Sequence, residues 1–183
     1  MSLLRRKGRL TDTLRLSLDS EEMVLAQAIA VDGTELAATR KRLIVVSQNA
    51  APDSLGWHQI AKARLDAGTL TVIPMQQVAE LPTGDPVLRD APPVSFTFDG
   101  KERLTDQVHS RVRRSVVGSR HLRWAGAGGW VTTRRVAGCD GLIVQLRLDQ
   151  GAELSAPGFV DAVLRVSAEL LGADSPGVTG VDE

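Results

Sequence analysis

The feature that most constrains this fold is a pair of apolar runs separated by a short polar turn. Residues 34–38 and 43–47 flank the turn Thr39-Arg40-Lys41-Arg42, and Leu43-Ile44-Val45-Val46 is an uninterrupted, mostly β-branched run. Such residues fit a pleated, buried strand better than a surface helix. The run is far too short to span a membrane, which takes about 20 apolar residues. The stretch therefore predicts a buried β-hairpin around which further strands assemble.

Strand-like segments continue on both sides of this hairpin. Apolar and small residues alternate over 23–30, and Asp32-Gly33 is a strong signal for a hairpin turn. Residues 48–54 are rich in turn formers and predict a loop. The predicted strands before residue 99 are 23–30, 34–38, 43–47, 61–65, 69–73, 78–81 and 94–98. About seven strands are therefore expected in this part of the chain.

The periodicity becomes helical between residues 102 and 117. Leu104, Val108, Val112 and Val116 recur at helical spacing and form one apolar stripe, while polar and basic residues occupy the other side. This stretch predicts an amphipathic helix that follows the strands.

A second group of elements is predicted after the helix. Three segments predict an antiparallel extension of three strands, namely 119–124, 130–136 and 142–149. A last amphipathic helix is predicted over 157–171, with Ser155 as its N-cap. The cluster Gly126-Ala127-Gly128-Gly129 predicts a flexible loop, because it lacks the following helix that a phosphate cradle requires.

The hairpin and the segments after it resemble a known family. The arrangement from Leu36 to Val46 resembles the threonine, basic turn, arginine-leucine and apolar strand of bacterial PH-like and GRAM-like domains. Trp57-His58-Gln59-Ile60 and Gly68-Thr69-Leu70-Thr71-Val72 are similar to the next steps of such domains. The resemblance covers about residues 22–118 and implies a bent, partly open β-barrel with one end closed by the helix. The arginine-rich, alanine-rich composition indicates GC-rich codons, and we expect an actinobacterial family.

The expected fold class is α+β, with a PH-like bent barrel of about seven strands. The expected organisation is a flexible basic arm at 1–20, the barrel and its helix at 21–118, the three-stranded extension and C-terminal helix at 119–172, and a disordered acidic tail at 173–183. Eukaryotic PH domains bind phosphoinositides through a basic loop between their first two strands. Here that loop is Val31-Asp32-Gly33, which is short and acidic. The resemblance therefore does not imply phosphoinositide binding.

Charge is unevenly distributed along a chain that is neutral overall. The 22 basic and 22 acidic residues exclude a uniformly basic nucleic-acid-binding surface. Residues 101–135 hold nine Lys or Arg against two acids, whereas residues 136–183 hold two against eight. This asymmetry can attract a partner, pair within the protein, or simply solvate a face.

Arginines of the basic stretch are the candidate anion-binding or partner-binding residues, because guanidinium groups bind phosphate and carboxylate bidentately. They are Arg111, Arg113, Arg114, Arg120, Arg123, Arg134 and Arg135, with His121 among them. Trp124 and Trp130 are nearby, but tryptophans in alternating strands are expected to be buried in a core.

The pattern indicates no catalytic residue, no metal site and no cofactor. His58, His109 and His121 are widely spaced and match no zinc pattern. Cys139, the single cysteine, has no adjacent base that would activate it, and one cysteine excludes an intrachain disulfide. Residues 1–10 are basic without the apolar core of an export signal, and no segment predicts a transmembrane span. A cytoplasmic location is therefore expected.

Two functions remain open from the sequence. The first is a non-enzymatic PH-like interaction or assembly module that binds a protein partner, or itself, through a sheet edge or a groove. The second is an anion-binding adaptor for nucleic acid or an acidic membrane surface, which uses the arginines between Arg111 and Arg135 and whose affinity falls steeply with salt. An enzyme with a site assembled from distant residues has the least support.

Overall fold

The strands and helices of the chain give an α+β fold. The computed structural model describes residues 11–48, 50–125 and 127–173. Its helices are Asp12–Leu16 (α1), Arg103–Ser115 (α2) and Phe159–Ala173 (α3). Its strands are Val24–Ile29 (β1), Glu35–Thr39 (β2), Arg42–Val46 (β3), Asp53–Gly56 (β4), Ile60–Asp66 (β5), Thr69–Glu80 (β6), Pro86–Asp90 (β7), Val94–Thr97 (β8), Val116–Trp124 (β9), Ala127–Arg134 (β10) and Ile143–Leu148 (β11). Of the helices in the described ranges, none has the length and apolarity needed to cross a membrane.

The strands form two sheets. Four antiparallel strands make the separate sheet β1-β2-β3-β4. The other sheet has seven strands in the order β5-β6-β7-β11-β10-β9, with β8 paired to β6. It is mixed, because β11 pairs with β7 in parallel and with β10 in antiparallel orientation.

The chain divides into two compact units. As far as it is described, the first unit holds residues 11–75, 90–115 and 136–139. The second unit holds residues 76–89, 116–135 and 140–173.

In the first unit, α2 packs against β1, β2 and β5. Leu104, Val108 and Val112 are buried, as the helical stripe predicts, whereas Val116 lies in β9. The core around them comprises Leu36, Leu43, Trp57, Ile60, Leu70, Val72, Phe96 and Phe98. The predicted hairpin of β2 and β3 is therefore part of this core.

Before α2, the structure differs from the predicted strands in three places. Residues 53–56 form β4, which pairs with β3, although residues 48–54 had predicted a loop. The predicted strand at 78–81 is the end of the long strand β6, which continues through Pro74. A β-bulge between Ile60 and Lys62 lies opposite Pro74, and bulges are positions where a strand accommodates proline. Strand β7 was not predicted.

The amino-terminal segment packs on the sheet from residue 11 onward. Helix α1 buries Leu14 against Ala37, Ile44 and Val46, so this part is not the flexible arm that the sequence predicts. The apolar residues of β2 and β3 point to both faces of their sheet, and Leu14 covers the face opposite α2. Predictions for residues 1–10, residues 174–183 and Gly126 fall outside the described residues.

In the second unit, β9, β10 and β11 pair in antiparallel orientation, and α3 packs on β9 and β10. They are not the separate three-stranded extension that the sequence predicts, because β11 also pairs with β7 and so joins them to the seven-stranded sheet. The core comprises Leu81, Val87, Val131, Val144, Leu146, Leu148, Phe159, Val163 and Val166. Ser155 is not the N-cap of α3, because its hydroxyl donates to Glu153 Oε2 over 3.3 Å and the helix begins at Phe159.

Gly128 and Gly129 belong to β10 and are buried, so the predicted flexible loop is wrong for these two residues. A Cβ on Gly129 would lie 2.6 Å from the backbone oxygen of Arg147. A Cβ on Gly128 would lie 2.6 Å from Asp149 Oδ2. Both glycines therefore allow neighbouring groups to approach the strand closely.

Candidate functional site

The seven candidate arginines lie on elements of both units. Arg111, Arg113 and Arg114 belong to α2 in the first unit. The remaining four belong to the second unit, namely Arg120 and Arg123 in β9, Arg134 at the end of β10, and Arg135 after it. The arginines therefore form two groups.

The first group is at the C-terminal end of α2. His109, Ser110, Arg113 and Arg114 line an open depression of about 420 Å³. These four residues, named here the basic face of α2, lie outside the buried stripe, and their spacing makes His109 a neighbour of Arg113 and Ser110 a neighbour of Arg114. Arg111 is half-buried.

Arg113 and Arg114 are exposed, and their side chains form no ion pair or hydrogen bond with any described residue. Positive charge in the last turn of a helix is favoured by the helix dipole. Among the described residues, none competes with a ligand for these two guanidinium groups.

In the second group, Arg120 has an internal partner. Its guanidinium forms an ion pair with Glu169 of α3, and it lies opposite the core residue Val131 on the neighbouring strand. An acidic residue from the segment after residue 135 therefore neutralises this arginine, which is one of the alternatives that the charge pattern leaves open. Arg120 is therefore the weakest of the seven candidates.

The opposite face of the β9-β10-β11 sheet is polar. Cross-strand register places His121 beside Trp130, Trp130 beside Arg147, and Thr132 beside Gln145. We name this surface the polar sheet face; it comprises His121, Arg123, Trp130, Thr132, Arg134, Gln145 and Arg147. It contains two of the candidate arginines, Arg123 and Arg134.

These two arginines differ in burial. Arg123 is exposed, and its side chain forms no ion pair with any described residue. Arg134 is only 5% exposed; burial, and then the positive charge of Arg147, lower its pKa to about 10. Arg134 is still a cation at neutral pH but is not open to a large partner. Arg135, which follows it, is exposed.

At one edge of the polar sheet face, His121 contacts two side chains, Asp149 and Trp130. Its Nε2 lies 2.8 Å from Asp149 Oδ2, and its ring centroid lies 5.0 Å from that of Trp130. Trp130 is 40% exposed, so the expected burial of this tryptophan is wrong.

The alternation of Trp130, Thr132 and Arg134 with Val131 and Thr133 is the sequence signal that identifies this face. Membership of one surface was not predicted for four residues, because the alternation in β10 identifies the face only when it is aligned with that in β11. These residues are Trp130, Thr132, Gln145 and Arg147.

Two further side chains that the sequence singles out are Cys139 and His58. Cys139 is exposed, and the His58 ring lies against Gly56, where a Cβ would be 2.6 Å from Cε1. Across the described residues, no three His, Cys, Asp or Glu side chains are placed to hold a metal ion together.

Comparison with known proteins gives no relative. No family model, no curated protein and no solved structure matches this chain. The function is therefore inferred from the two surfaces themselves.

Proposed function

We propose that this chain is a non-enzymatic, PH-like interaction module that binds an acidic segment of a protein partner through the basic face of α2. The first unit supports the PH-like part of the proposal. It combines the sheet β1–β4, the antiparallel strands β5, β6 and β8, and a helix that packs against strands of both groups. The resemblance of residues 22–118, which implies a bent barrel closed by one helix, is the other support for this part of the proposal.

The exposure of Arg113 and Arg114 is the main support for this binding surface. Both are exposed, and neither side chain is neutralised by a described residue. His109 and Ser110 line the same depression and add an imidazole and a hydroxyl as further donors. Forked guanidinium donors match carboxylates bidentately. None of the described lining residues is a phenylalanine, tyrosine or tryptophan on which a base would stack, so carboxylates of a protein suit this surface better than nucleic acid.

The direct test is fluorescence anisotropy with a labelled, glutamate-rich peptide of about 12 residues, titrated at several salt concentrations. The site variant is Arg113→Ser/Arg114→Ser. The matched control is Lys101→Ser/Arg103→Ser, which removes the same charge at the other, N-terminal end of α2, where both side chains are also exposed. Two charge-assisted contacts of about 1 kcal/mol each correspond to roughly a tenfold or greater loss of affinity in the site variant. The control is expected to lose less than about twofold. Equal losses of affinity in both variants would mean that the peptide responds only to the net charge of the chain. The assignment of the binding surface to the basic face of α2 would then be wrong.

A second candidate function is the anion-binding adaptor, which the same exposed arginines favour because they also match phosphate groups. Duplex DNA and phosphatidylserine vesicles are therefore titrated in parallel with the peptide. One of these anions could bind more tightly than the peptide and lose that binding in the Arg113→Ser/Arg114→Ser variant. That anion, and not a protein segment, would then be the ligand of this surface. The non-enzymatic part of the proposal would fail if turnover of nucleotides, esters or phosphoesters followed the pure protein through chromatography.

A further inference from the structure

The three tryptophans of the chain are used differently. Trp57 donates its indole N–H to the backbone oxygen of Arg40 over 3.1 Å, and Trp124 donates to that of Pro157 over 3.0 Å. The indole of Trp130 donates no hydrogen bond to any described residue, and the residue is 40% exposed. Tryptophan is amphipathic, and its N–H usually finds a partner within the fold. Trp130 is thus an aromatic ring presented to solvent from the middle of a strand.

The cross-strand neighbours of Trp130 on the polar sheet face are an imidazole and a guanidinium. His121 lies beside it on β9 and Arg147 lies beside it on β11. Arg123 is exposed and lies two residues from His121 on the same face. The Asp149 carboxylate, which also lies at this edge, already binds His121. The exposed guanidinium of Arg123 therefore supplies positive charge on the same face as the ring, and the Asp149 carboxylate is engaged by His121.

We infer that the polar sheet face around Trp130 binds a nucleotide unit, with the planar base stacked on the indole and the phosphate held by Arg123. Base stacking on an exposed aromatic ring, combined with arginine contacts to the backbone, is how sheets bind single-stranded nucleic acid. A free nucleotide offers the same base and phosphate. This site is in the second unit and does not depend on the function proposed for the basic face of α2.

The test compares two labelled 12-mers that carry the same phosphates, oligo(dT) and its abasic analogue. The wild-type chain is expected to bind oligo(dT) roughly tenfold more tightly than the abasic strand, which is the contribution of stacking. Trp130→Ala is expected to abolish this preference, and Trp130→Phe to retain part of it. Arg123→Ser is expected to weaken both strands by the same factor. Trp124→Phe is the control and is expected to keep the wild-type preference.

An NMR titration of the unaltered chain with oligo(dT) gives a result that does not depend on the folding of a variant. The indole N–H resonance of Trp130 is expected to shift, and the indole resonances of Trp57 and Trp124 are expected to stay in place. A mononucleotide that shifts the same resonance would identify a free nucleotide as a sufficient ligand, whereas a response to the oligomer alone would identify a single strand. Equal affinity of the wild-type chain for the two strands, or a preference that survives Trp130→Ala, would overturn the inference.

Discussion

At the residue scale, Glu22 and Arg42 form the most tightly bound charge pair of the first unit. The Glu22 side chain is only 1% exposed and accepts hydrogen bonds from Arg42 Nη2 at 2.7 Å and from Thr39 Oγ1 at 2.6 Å. Burial by itself raises the pKa of Glu22, but the hydrogen bonds from Arg42, Thr39 and the backbone N–H of Asp19 outweigh it and lower the pKa to about 2. Arg42 also donates to the backbone oxygen of Ser17. The pair therefore ties the segment after α1 to the β2–β3 hairpin.

Arg42→Ala is expected to destabilise the chain strongly, because it leaves a buried carboxylate without its cation. Removing one member of a buried pair lowers the free energy of unfolding by about 3–5 kcal/mol. Arg64→Ala is the control, since the Arg64–Asp66 pair is largely exposed and a loss below about 1 kcal/mol is expected. Urea denaturation measures both variants. Similar losses in the two would show that the Glu22–Arg42 pair contributes no more than a surface pair.

The Glu22 carboxyl also predicts a pH dependence. Its pKa is lowered from 4.5 to about 2 in the folded chain, so its contribution is fully present above about pH 5 and is lost as the pH falls towards 2. The contribution is on the order of 2–3 kcal/mol. The free energy of unfolding, measured by urea at a series of pH values, is expected to fall less steeply in Glu22→Gln than in the wild-type chain over this range. Parallel curves for the two proteins would contradict the role of Glu22.

At the element scale, periodicity predicts the elements whose burial follows one simple period. The stripe Leu104, Val108 and Val112 identifies α2, and the run from Leu43 to Val46 identifies β3. Strand β4 could not be predicted in this way, because Asp53 and Ser54 are typical loop residues and the strand is defined by pairing with β3. Pairing with the neighbouring strand β3 therefore overrides the loop propensity of these two residues.

Gly129 shows why a glycine in a strand can be misread as part of a loop. A Cβ at this position would lie 2.6 Å from the backbone oxygen of Arg147 on the paired strand, which cannot move without breaking the ladder. Gly129→Ala is therefore expected to lower the free energy of unfolding by about 2 kcal/mol or more. Gly172→Ala is the control, since a Cβ there meets nothing within 4 Å and the residue is in helix α3.

The control is expected to be neutral or to stabilise the chain by up to about 1 kcal/mol, because alanine favours helix more than glycine does. Thermal and urea unfolding measure both variants. Gly129→Ala with wild-type stability would mean that the strand pairing of β10 and β11 is looser than the structure shows.

At the scale of the whole molecule, the sequence predicts where positive charge accumulates but not which surfaces it forms. One stretch from Arg111 to Arg135 distributes its arginines over a helix and two strands, and strand alternation sends neighbours to opposite faces. Arg120 therefore pairs with Glu169, while Arg123 lies on the polar sheet face. Neither outcome can be read from net charge alone.

Because the two surfaces belong to different units, their variants are expected to act on different ligands. Arg113→Ser/Arg114→Ser is expected to reduce affinity for the glutamate-rich peptide about tenfold and to leave the ratio of oligo(dT) to abasic affinity unchanged. Trp130→Ala is expected to abolish that ratio and to leave peptide affinity unchanged. Anisotropy titrations of both variants with all three probes give the comparison. A variant that changes both readouts would indicate a shared surface or a loss of folding, which circular dichroism separates.

The central claim is that the basic face of α2 is the surface that a partner contacts. Amide resonances of the uniformly ¹⁵N-labelled chain, followed while the glutamate-rich peptide is added, test it most directly. The largest shifts are expected at His109, Ser110, Arg113 and Arg114, with little change in β9–β11. Shifts centred on β9–β11, or spread evenly over exposed arginines of both units, would contradict the claim.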